Sequence, residues 1–179
     1  DGSGLGYTIS QVLNYINKPF IFTSCDTIVK NKIPEPNKNW IGYSKVTNSS
    51  DYRTLDIEEN KCISLNEKLA SDSKNAYIGL AGINDYEKFK SLSIENYDEF
   101  FIKGESYSIA QMIKSFEAIE FEWRDTGNVA DLNKTRKEFT ISSKNKFNVL
   151  EKENEKIWFV NNKVIKFSTD KKFIADRVA

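Results

Sequence analysis

Residues 19–29 read Pro-Phe-Ile-Phe-Thr-Ser-Cys-Asp-Thr-Ile-Val, an apolar run that leads to one carboxylate, Asp26. The apolar residues 20–22 predict a strand buried on both faces, as in a parallel sheet. The ligand crevice of an open α/β sheet lies at the carboxyl ends of its strands, so Asp26 is placed to hold a metal or a phosphate-bearing substrate. Taken alone, the same residue would more often be a loop-capping Asp.

A second stretch repeats this layout. Residues 121–127 read Phe-Glu-Trp-Arg-Asp-Thr-Gly and predict a short strand, an Asp at its end and a Gly turn, before a helix over residues 128–139. Asp26 and Asp125 would then lie at two strand ends. Two such carboxylates could together hold Mg²⁺, which takes oxygen ligands from one or two carboxylates plus substrate phosphates.

Together these motifs resemble the sugar-phosphate nucleotidylyltransferases, over roughly residues 4–139. That family has an Asp after a central buried strand and a later Trp-x-Asp-x-Gly, matched here by Asp26 and by Trp123, Asp125 and Gly127. The resemblance implies part of a three-layer α/β/α fold with a mixed sheet, of the nucleotide-diphospho-sugar transferase (GT-A-like) type. It also implies that the two Asp residues are catalytic and bind the metal.

The resemblance extends to residues that would contact the substrates. Glu67 and Lys68 are similar to the start of the family's Glu-Lys-Pro motif, which implies that Lys68 contacts the acceptor phosphate and Glu67 an acceptor hydroxyl or ammonium. Gly79 is similar to a Gly that allows close approach of the substrate. Gly4 and Gly6 resemble the family's Gly-Leu turn, which lies under the nucleotide base and opens a helix.

Two departures from the family pattern concern the acceptor. The Pro after Glu-Lys is replaced by Leu69, and the Gly that often follows the hairpin Tyr is replaced by Arg53, after Tyr52. Arg53 would place a cation at the substrate side of the hairpin and would favour an acceptor with extra negative charge. The alternative is that Arg53 points to solvent at a hairpin edge.

A third departure lies at the start of the chain. The family opens with a Gly-rich phosphate loop that carries a basic residue, and no such loop precedes Asp26. We therefore expect the chain to begin inside the domain and to be active only together with the missing unit. The alternative is a short fold that genuinely begins with a helix.

The resemblance implies transfer of a nucleoside monophosphate from an NTP to a phosphorylated small molecule or sugar phosphate, with release of pyrophosphate, in the synthesis of surface polysaccharide precursors. Two alternatives stay open. One is a catalytically silent nucleotide-sugar-binding or assembly module. The other is a GT-A glycosyltransferase, although the residues after Asp26 lack the usual Asp-x-Asp.

Composition indicates an ordinary domain of 179 residues, with 39% apolar and 13% aromatic residues. Lys+Arg and Asp+Glu both total 26, so no net field favours nucleic acid or a membrane as a partner. The absence of a signal peptide and of a spanning segment favours the cytoplasm. There is no His, and Cys25 and Cys62 are predicted to be free thiols.

Periodicity and turn residues predict the other elements of a first domain over residues 1–140. Helices are predicted over residues 7–16, 86–92 and 107–116, with Glu105 as a capping residue of the last. Strands are predicted over residues 40–46, 51–57, 61–65 and 75–83, with a tight turn at 59–60 and a surface loop over 30–39.

The C-terminal residues differ in character. A polar linker over residues 140–146 precedes a β-rich appendage over 147–179, with short strands predicted at 149–152, 156–160 and 163–167, a tight turn at 161–162 and a helix at 170–178. This order weakly resembles the start of a choline kinase or aminoglycoside phosphotransferase domain, in which Lys166 would pair with a phosphate. The alternative is a β-hairpin that packs on the edge of the first domain.

Overall fold

A computed structural model describes residues 5–142, 155–160 and 163–169 of the chain. Contacts between Cα atoms divide the chain into two units, Asp1–Gly127 and Asn128–Ala179. Among the described residues, no helix combines the length and the apolar character needed to cross a lipid bilayer.

The first unit combines eight described strands with four α-helices. The strands are β1 (Phe20–Thr23), β2 (Thr27–Val29), β3 (Trp40–Lys45), β4 (Thr54–Glu58), β5 (Lys61–Asn66), β6 (Asn75–Ile83), β7 (Glu117–Glu120) and β8 (Trp123–Asp125). The helices are α1 (Leu5–Ser10), α2 (Tyr86–Glu95), α3 (Tyr97–Lys103) and α4 (Glu105–Met112), with 3₁₀ turns at Leu13–Tyr15 and Ile113–Ser115.

Six of these strands form a mixed sheet in the order β1-β6-β3-β7-β5-β4. β3 and β7 run parallel, whereas the other pairs of neighbours are antiparallel. β2 and β8 form a separate antiparallel ribbon. The predicted mixed sheet is therefore confirmed.

The prediction of a strand buried on both faces is wrong for β1. β1 is antiparallel to β6, and within the described residues it has no second neighbour in the sheet. Phe20 and Phe22 pack against the core, whereas Ile21 is 39% exposed. Among the described residues, β1 lies at the end of the sheet order, and its outward residue Ile21 is also apolar. The local sequence does not distinguish this arrangement from a central strand.

The two faces of the sheet carry separate apolar cores. The larger core joins β3 and β6 to α1, α2, α3 and α4, and its fully buried members include Ile41, Ile83, Phe89, Phe100 and Ile109. The smaller core consists of Trp40, Ile78, Leu80 and Phe121, against which Val29 of β2 and Trp123 of β8 pack. In the first unit, helices thus cover one face and the β2–β8 ribbon contacts the other.

The buried Asn39 side chain connects three segments of the first unit. Its Nδ2 donates to Asp85 Oδ2 at 2.7 Å and to Ser115 Oγ at 3.0 Å. Its Oδ1 accepts from the backbone N–H groups of Asn84 at 2.8 Å and Asp85 at 3.0 Å. One buried amide therefore joins the start of β3 to the segment before α2 and to the 3₁₀ turn after α4.

Several predicted elements are confirmed, and three were not predicted. The strands over 40–46 and 75–83 correspond to β3 and β6, and the β4–β5 hairpin turns at Glu59 and Asn60, whose φ values of 46° and 65° belong to a tight turn. The elements not predicted are β2, β7 and α3, which have only three, four and seven residues. Elements this short show too few turns or alternations for periodicity to identify them.

The second unit contains α5 (Val129–Ser142) and a hairpin of β9 (Glu155–Val160) and β10 (Lys163–Ser168). The predicted helix over 128–139 and the predicted strands over 156–160 and 163–167 are confirmed. The strand predicted at 149–152, the turn at 161–162, the helix at 170–178 and the side chain of Lys166 lie outside the described residues.

Candidate functional site

The β2–β8 ribbon brings the two predicted catalytic carboxylates together. Thr27 in β2 lies opposite Asp125 in β8, so Asp26, directly before β2, lies beside the turn that follows β8. In that turn, Thr126 donates to the backbone carbonyl of Asp26 through its N–H at 3.2 Å and its hydroxyl at 2.8 Å. The ribbon therefore holds the two Asp residues next to each other, although they are far apart in the sequence.

Gly127 leaves a gap between the two carboxylates. A Cβ atom at this position would lie 3.2 Å from Asp125 Oδ1 and 3.3 Å from Asp26 Oδ2. Both oxygens therefore approach the same point in space, and a residue with a side chain would fill the gap.

The donor set fits a hard divalent cation. Carboxylate oxygens are the ligands that Mg²⁺ prefers, and Mg²⁺ usually takes one or two of them and completes its shell with water or phosphate oxygens. Within the described residues, no group of three or more His, Cys, Asp or Glu side chains is arranged to hold a metal. Asp26 and Asp125 could therefore hold such an ion only together with other oxygen ligands.

Tyr52 and Gly127 each donate a hydrogen bond to the Asp125 carboxylate. The Tyr52 hydroxyl donates to Asp125 Oδ2 at 2.7 Å, and the Gly127 N–H donates to Asp125 Oδ1 at 2.8 Å. The Tyr52 ring packs edge-on against Trp123, with 5.4 Å between ring centroids and an interplanar angle of 81°. Both oxygens of Asp125 thus have a fixed orientation.

The turn that presents Asp26 rests on β6 at Gly79. The Ser24 N–H donates to the Gly79 carbonyl at 2.8 Å, the Ser24 and Thr27 hydroxyls are 3.0 Å apart, and the Thr27 hydroxyl donates to the Ile78 carbonyl. Gly79 has a φ of +67°, and a Cβ there would lie 2.3 Å from Ser24 Oγ. The close packing of the turn that carries Asp26 therefore accounts for a glycine at position 79, and contact of Gly79 with a substrate stays a prediction.

A second polar group, the Arg53 cluster, consists of Arg53, Glu67, Tyr77 and Glu105. Arg53 Nε donates to Glu67 Oε2 at 2.9 Å, and the Arg53 carbonyl accepts from the Tyr77 N–H at 2.8 Å. The Tyr77 hydroxyl donates to Glu105 Oε1 at 3.2 Å. The alternative that Arg53 points to solvent does not hold, because its side chain is ion-paired with Glu67 and only 27% exposed. Its role in selecting the acceptor stays a prediction.

Glu105 is the buried acid of this cluster. It is 4% exposed, and its Oε2 has no hydrogen-bond partner among the described residues. Burial raises the pKa of Glu105 above its ordinary value, while the backbone N–H groups at the start of α4, the Arg53 charge and the Tyr77 hydroxyl act in the opposite direction. These N–H groups lie at the start of α4, the helix for which Glu105 was predicted to be a capping residue.

The other predicted substrate residues lie in different settings. Lys68 is exposed in the turn after β5, next to Leu69, whose φ is 65°. Gly6 is buried in α1, where a Cβ would lie 2.3 Å from the Phe100 carbonyl oxygen of α3. The close packing of α1 against α3 accounts for a glycine at position 6. Contact of Gly6 with a nucleotide base stays a prediction. Gly4 lies outside the described residues.

Tyr52, Ser24 and Thr27 were not predicted as part of the site. Tyr52 was noted only as the residue before Arg53, and its contact with Asp125 spans 73 positions of the chain. The hydroxyl residues around Asp26 were visible in the sequence, but their contacts with β6 depend on the sheet order.

No protein-family model matches the chain, and no curated protein matches it. Solved structures do match. A UDP-glucose pyrophosphorylase from Acinetobacter baumannii has a TM-score of 0.63 at 18% identity, over 80% of this chain and 59% of its own. A CTP:phosphocholine cytidylyltransferase from Streptococcus pneumoniae has a TM-score of 0.60 at 16% identity, over 76% and 64%. An inositol-1-phosphate CTP transferase from T. maritima has a TM-score of 0.57 at 13% identity, over 78% and 62%.

These matching structures are nucleotidyltransferases, and at such identities the similarity shows the fold. The expected mixed α/β fold of this type is confirmed. The chain spans about three fifths of the length of the matching structures. The comparisons give no support to the resemblance between the C-terminal residues and choline kinase-type domains.

Proposed function

We propose that the protein is a nucleotidylyltransferase, in which this chain supplies the metal-binding carboxylates and the acceptor-binding residues. It would transfer a nucleoside monophosphate from an NTP to a phosphorylated small molecule or sugar phosphate and release pyrophosphate. The observation that carries the proposal is the convergence of Asp26 and Asp125 on the gap beside Gly127, within a fold shared with nucleotidyltransferases.

In this reaction an oxygen of the acceptor phosphate forms a bond to the α-phosphorus of the NTP, and the bond from that phosphorus to the pyrophosphate oxygen breaks. Such transfers depend on positioning and on charge neutralisation rather than on a covalent intermediate. A Mg²⁺ ion bound by Asp26 and Asp125 would supply neutralisation of the phosphate charges. Tyr52 and Gly127 hold Asp125 in place, and the turn on Gly79 holds Asp26.

The acceptor side is assigned to Lys68 and to the Arg53 cluster. Lys68, which is exposed, would contact the acceptor phosphate as a point charge. Glu67 would accept from an acceptor hydroxyl or ammonium, with Arg53 orienting it through their ion pair. Because Glu67 already offsets the Arg53 charge, an extra anionic group on the acceptor would have to compete with Glu67 for the guanidinium.

The test replaces each of the two Asp residues with Asn, which removes the carboxylate charge and keeps the shape of the side chain. In the full-length protein, Asp26→Asn and Asp125→Asn should each lower turnover by roughly two or more decades, because each removes one metal ligand. Turnover is measured as pyrophosphate released from an NTP and a phosphorylated acceptor. Asp72→Asn, at an exposed Asp in the loop between β5 and β6, is the matched control and should retain turnover.

Near-normal turnover in both Asp variants would remove the metal assignment. Binding of nucleotide by the wild type without any pyrophosphate release would favour the catalytically silent binding module instead.

A further inference from the structure

The Tyr52 hydroxyl contacts one of the two carboxylates that the proposed function uses. Its hydrogen bond to Asp125 Oδ2 has a distance of 2.7 Å and is partly buried. The Tyr52 ring is fixed by edge-on packing against Trp123. The backbone N–H of Tyr52 donates to the Ser49 carbonyl at 3.1 Å. Backbone and ring contacts therefore both determine where the hydroxyl lies.

Two hydrogen bonds constrain the orientation of the Asp125 carboxylate. The Gly127 N–H binds Oδ1 and the Tyr52 hydroxyl binds Oδ2, so rotation of the carboxylate would break at least one of them. These two donors thus constrain the direction in which both oxygens of Asp125 point.

The segment that carries Tyr52 also carries Arg53, which belongs to the proposed acceptor side of the site. Tyr52 is followed directly by Arg53, which is ion-paired with Glu67 at 2.9 Å. A displacement of this segment, which lies between β3 and β4, would therefore move the hydroxyl on Asp125 and the guanidinium on Glu67 together.

We propose that Tyr52 is a positioning residue, whose hydroxyl orients the Asp125 carboxylate for binding a divalent cation. The inference rests on the proposed function, because it assumes that Asp125 is a metal ligand. Hydrogen-bonding partners of metal ligands typically contribute about 10–100-fold to metal affinity. Tyr52→Phe removes one oxygen atom and leaves the ring that packs against Trp123.

The experiment measures Mn²⁺ binding, without turnover, by electron paramagnetic resonance of the free ion. We expect Tyr52→Phe to raise the Kd for Mn²⁺ about tenfold or more, and Asp125→Asn to raise it further. Tyr15→Phe is the matched control, because Tyr15 is 81% exposed and should leave the Kd unchanged. In an Asp125→Asn background, Tyr52→Phe should have no further effect, because Tyr52 acts through Asp125. A urea unfolding curve for each variant checks that it is folded.

A second readout separates positioning from a general structural role. In the full-length protein, Tyr52→Phe should raise the Mg²⁺ concentration needed for half-maximal turnover and leave kcat at saturating Mg²⁺ nearly unchanged. A lower kcat with an unchanged Mg²⁺ requirement would overturn the inference.

The outcomes distinguish the inference from the function on which it rests. If Asp125→Asn weakens Mn²⁺ binding and Tyr52→Phe does not, the inference is overturned and the metal site stands. If the wild type does not bind Mn²⁺, or if Asp125→Asn binds it as tightly as the wild type, the metal site and the inference are both overturned.

Discussion

Gly79 decides whether the Asp26 turn can rest on β6. Its φ of +67° costs a residue with a side chain about 1–2 kcal/mol, and a Cβ would lie 2.3 Å from Ser24 Oγ. We expect Gly79→Ala to lower the free energy of unfolding by about 2–3 kcal/mol, because conformational strain and a steric clash add. Urea denaturation followed by circular dichroism measures this change.

Two further variants test the reason for this loss. Gly42→Ala places its Cβ 3.1 Å from the nearest atom, with no positive φ, and should cost less. Ser24→Ala in the Gly79→Ala background should restore part of the stability, because it removes the clashing hydroxyl. Equal losses in Gly42→Ala and Gly79→Ala would contradict this account.

Single residues also show what the sequence could predict about the site. Asp26 and Asp125 were identifiable because each lies at or just after the end of a strand and matches a motif, and the structure brings them together as a pair. The ion pair of Arg53 with Glu67 was not predicted, although both residues were named, because strand register determines which side chains meet.

At the scale of elements, Asn39 connects β3, α2 and the turn after α4. Its side chain is 5% exposed and takes part in four hydrogen bonds. Asn39→Ala would leave the backbone N–H groups of Asn84 and Asp85 without their acceptor, and we expect a loss of about 2–3 kcal/mol in the free energy of unfolding. Thermal and urea unfolding both measure it.

Asn37→Ala is the matched control for this prediction. Asn37 is exposed in the same loop, and its replacement should change stability by no more than about 0.5 kcal/mol. If both substitutions change the free energy of unfolding by a similar amount, the hydrogen bonds of the Asn39 amide do not stabilise the packing of these elements.

The elements were predicted best where a long apolar run is bounded by turn residues. β6, with nine residues, combines a long apolar run with clear flanking turns. β2, with three residues, depends on β8 for its pairing, and β8 comes about a hundred positions later. The β2–β8 ribbon that brings the carboxylates together was therefore the element least accessible to local analysis.

At the scale of the whole molecule, Glu105 links stability to pH. Its pKa in the folded protein is raised by burial above the ordinary value of 4.5, so the folded state holds the proton more tightly than the unfolded state. The stability that this proton contributes is fully present below pH 4.5 and is lost as the pH rises through the folded-state pKa.

Glu105→Gln should remove this dependence, because its amide can still accept from Tyr77 and does not ionise. We expect the wild type to lose stability relative to Glu105→Gln as the pH rises from about 4.5 towards neutrality. Urea unfolding curves of both proteins across this range measure the difference, and other titrating groups cancel in it. Parallel curves would contradict the assignment of a raised pKa.

The overall fold was predictable mainly through the order of motifs along the chain. That order identified a mixed α/β fold, and the comparisons confirm it. Periodicity alone did not reveal that β1 lies at the end of the described sheet or that a ribbon contacts the second face of the sheet, because both depend on pairings between distant segments.

The position of the two cysteines has a practical consequence. Both lie within the described residues: Cys25 is exposed directly before Asp26, whereas Cys62 is 1% exposed and burial raises its pKa to about 12. In the folded chain, a thiol-directed spin label or fluorophore should therefore attach at Cys25 and leave Cys62 unmodified. Occupancy of the carboxylate pair could then be followed spectroscopically from one residue away, without introducing or removing any cysteine.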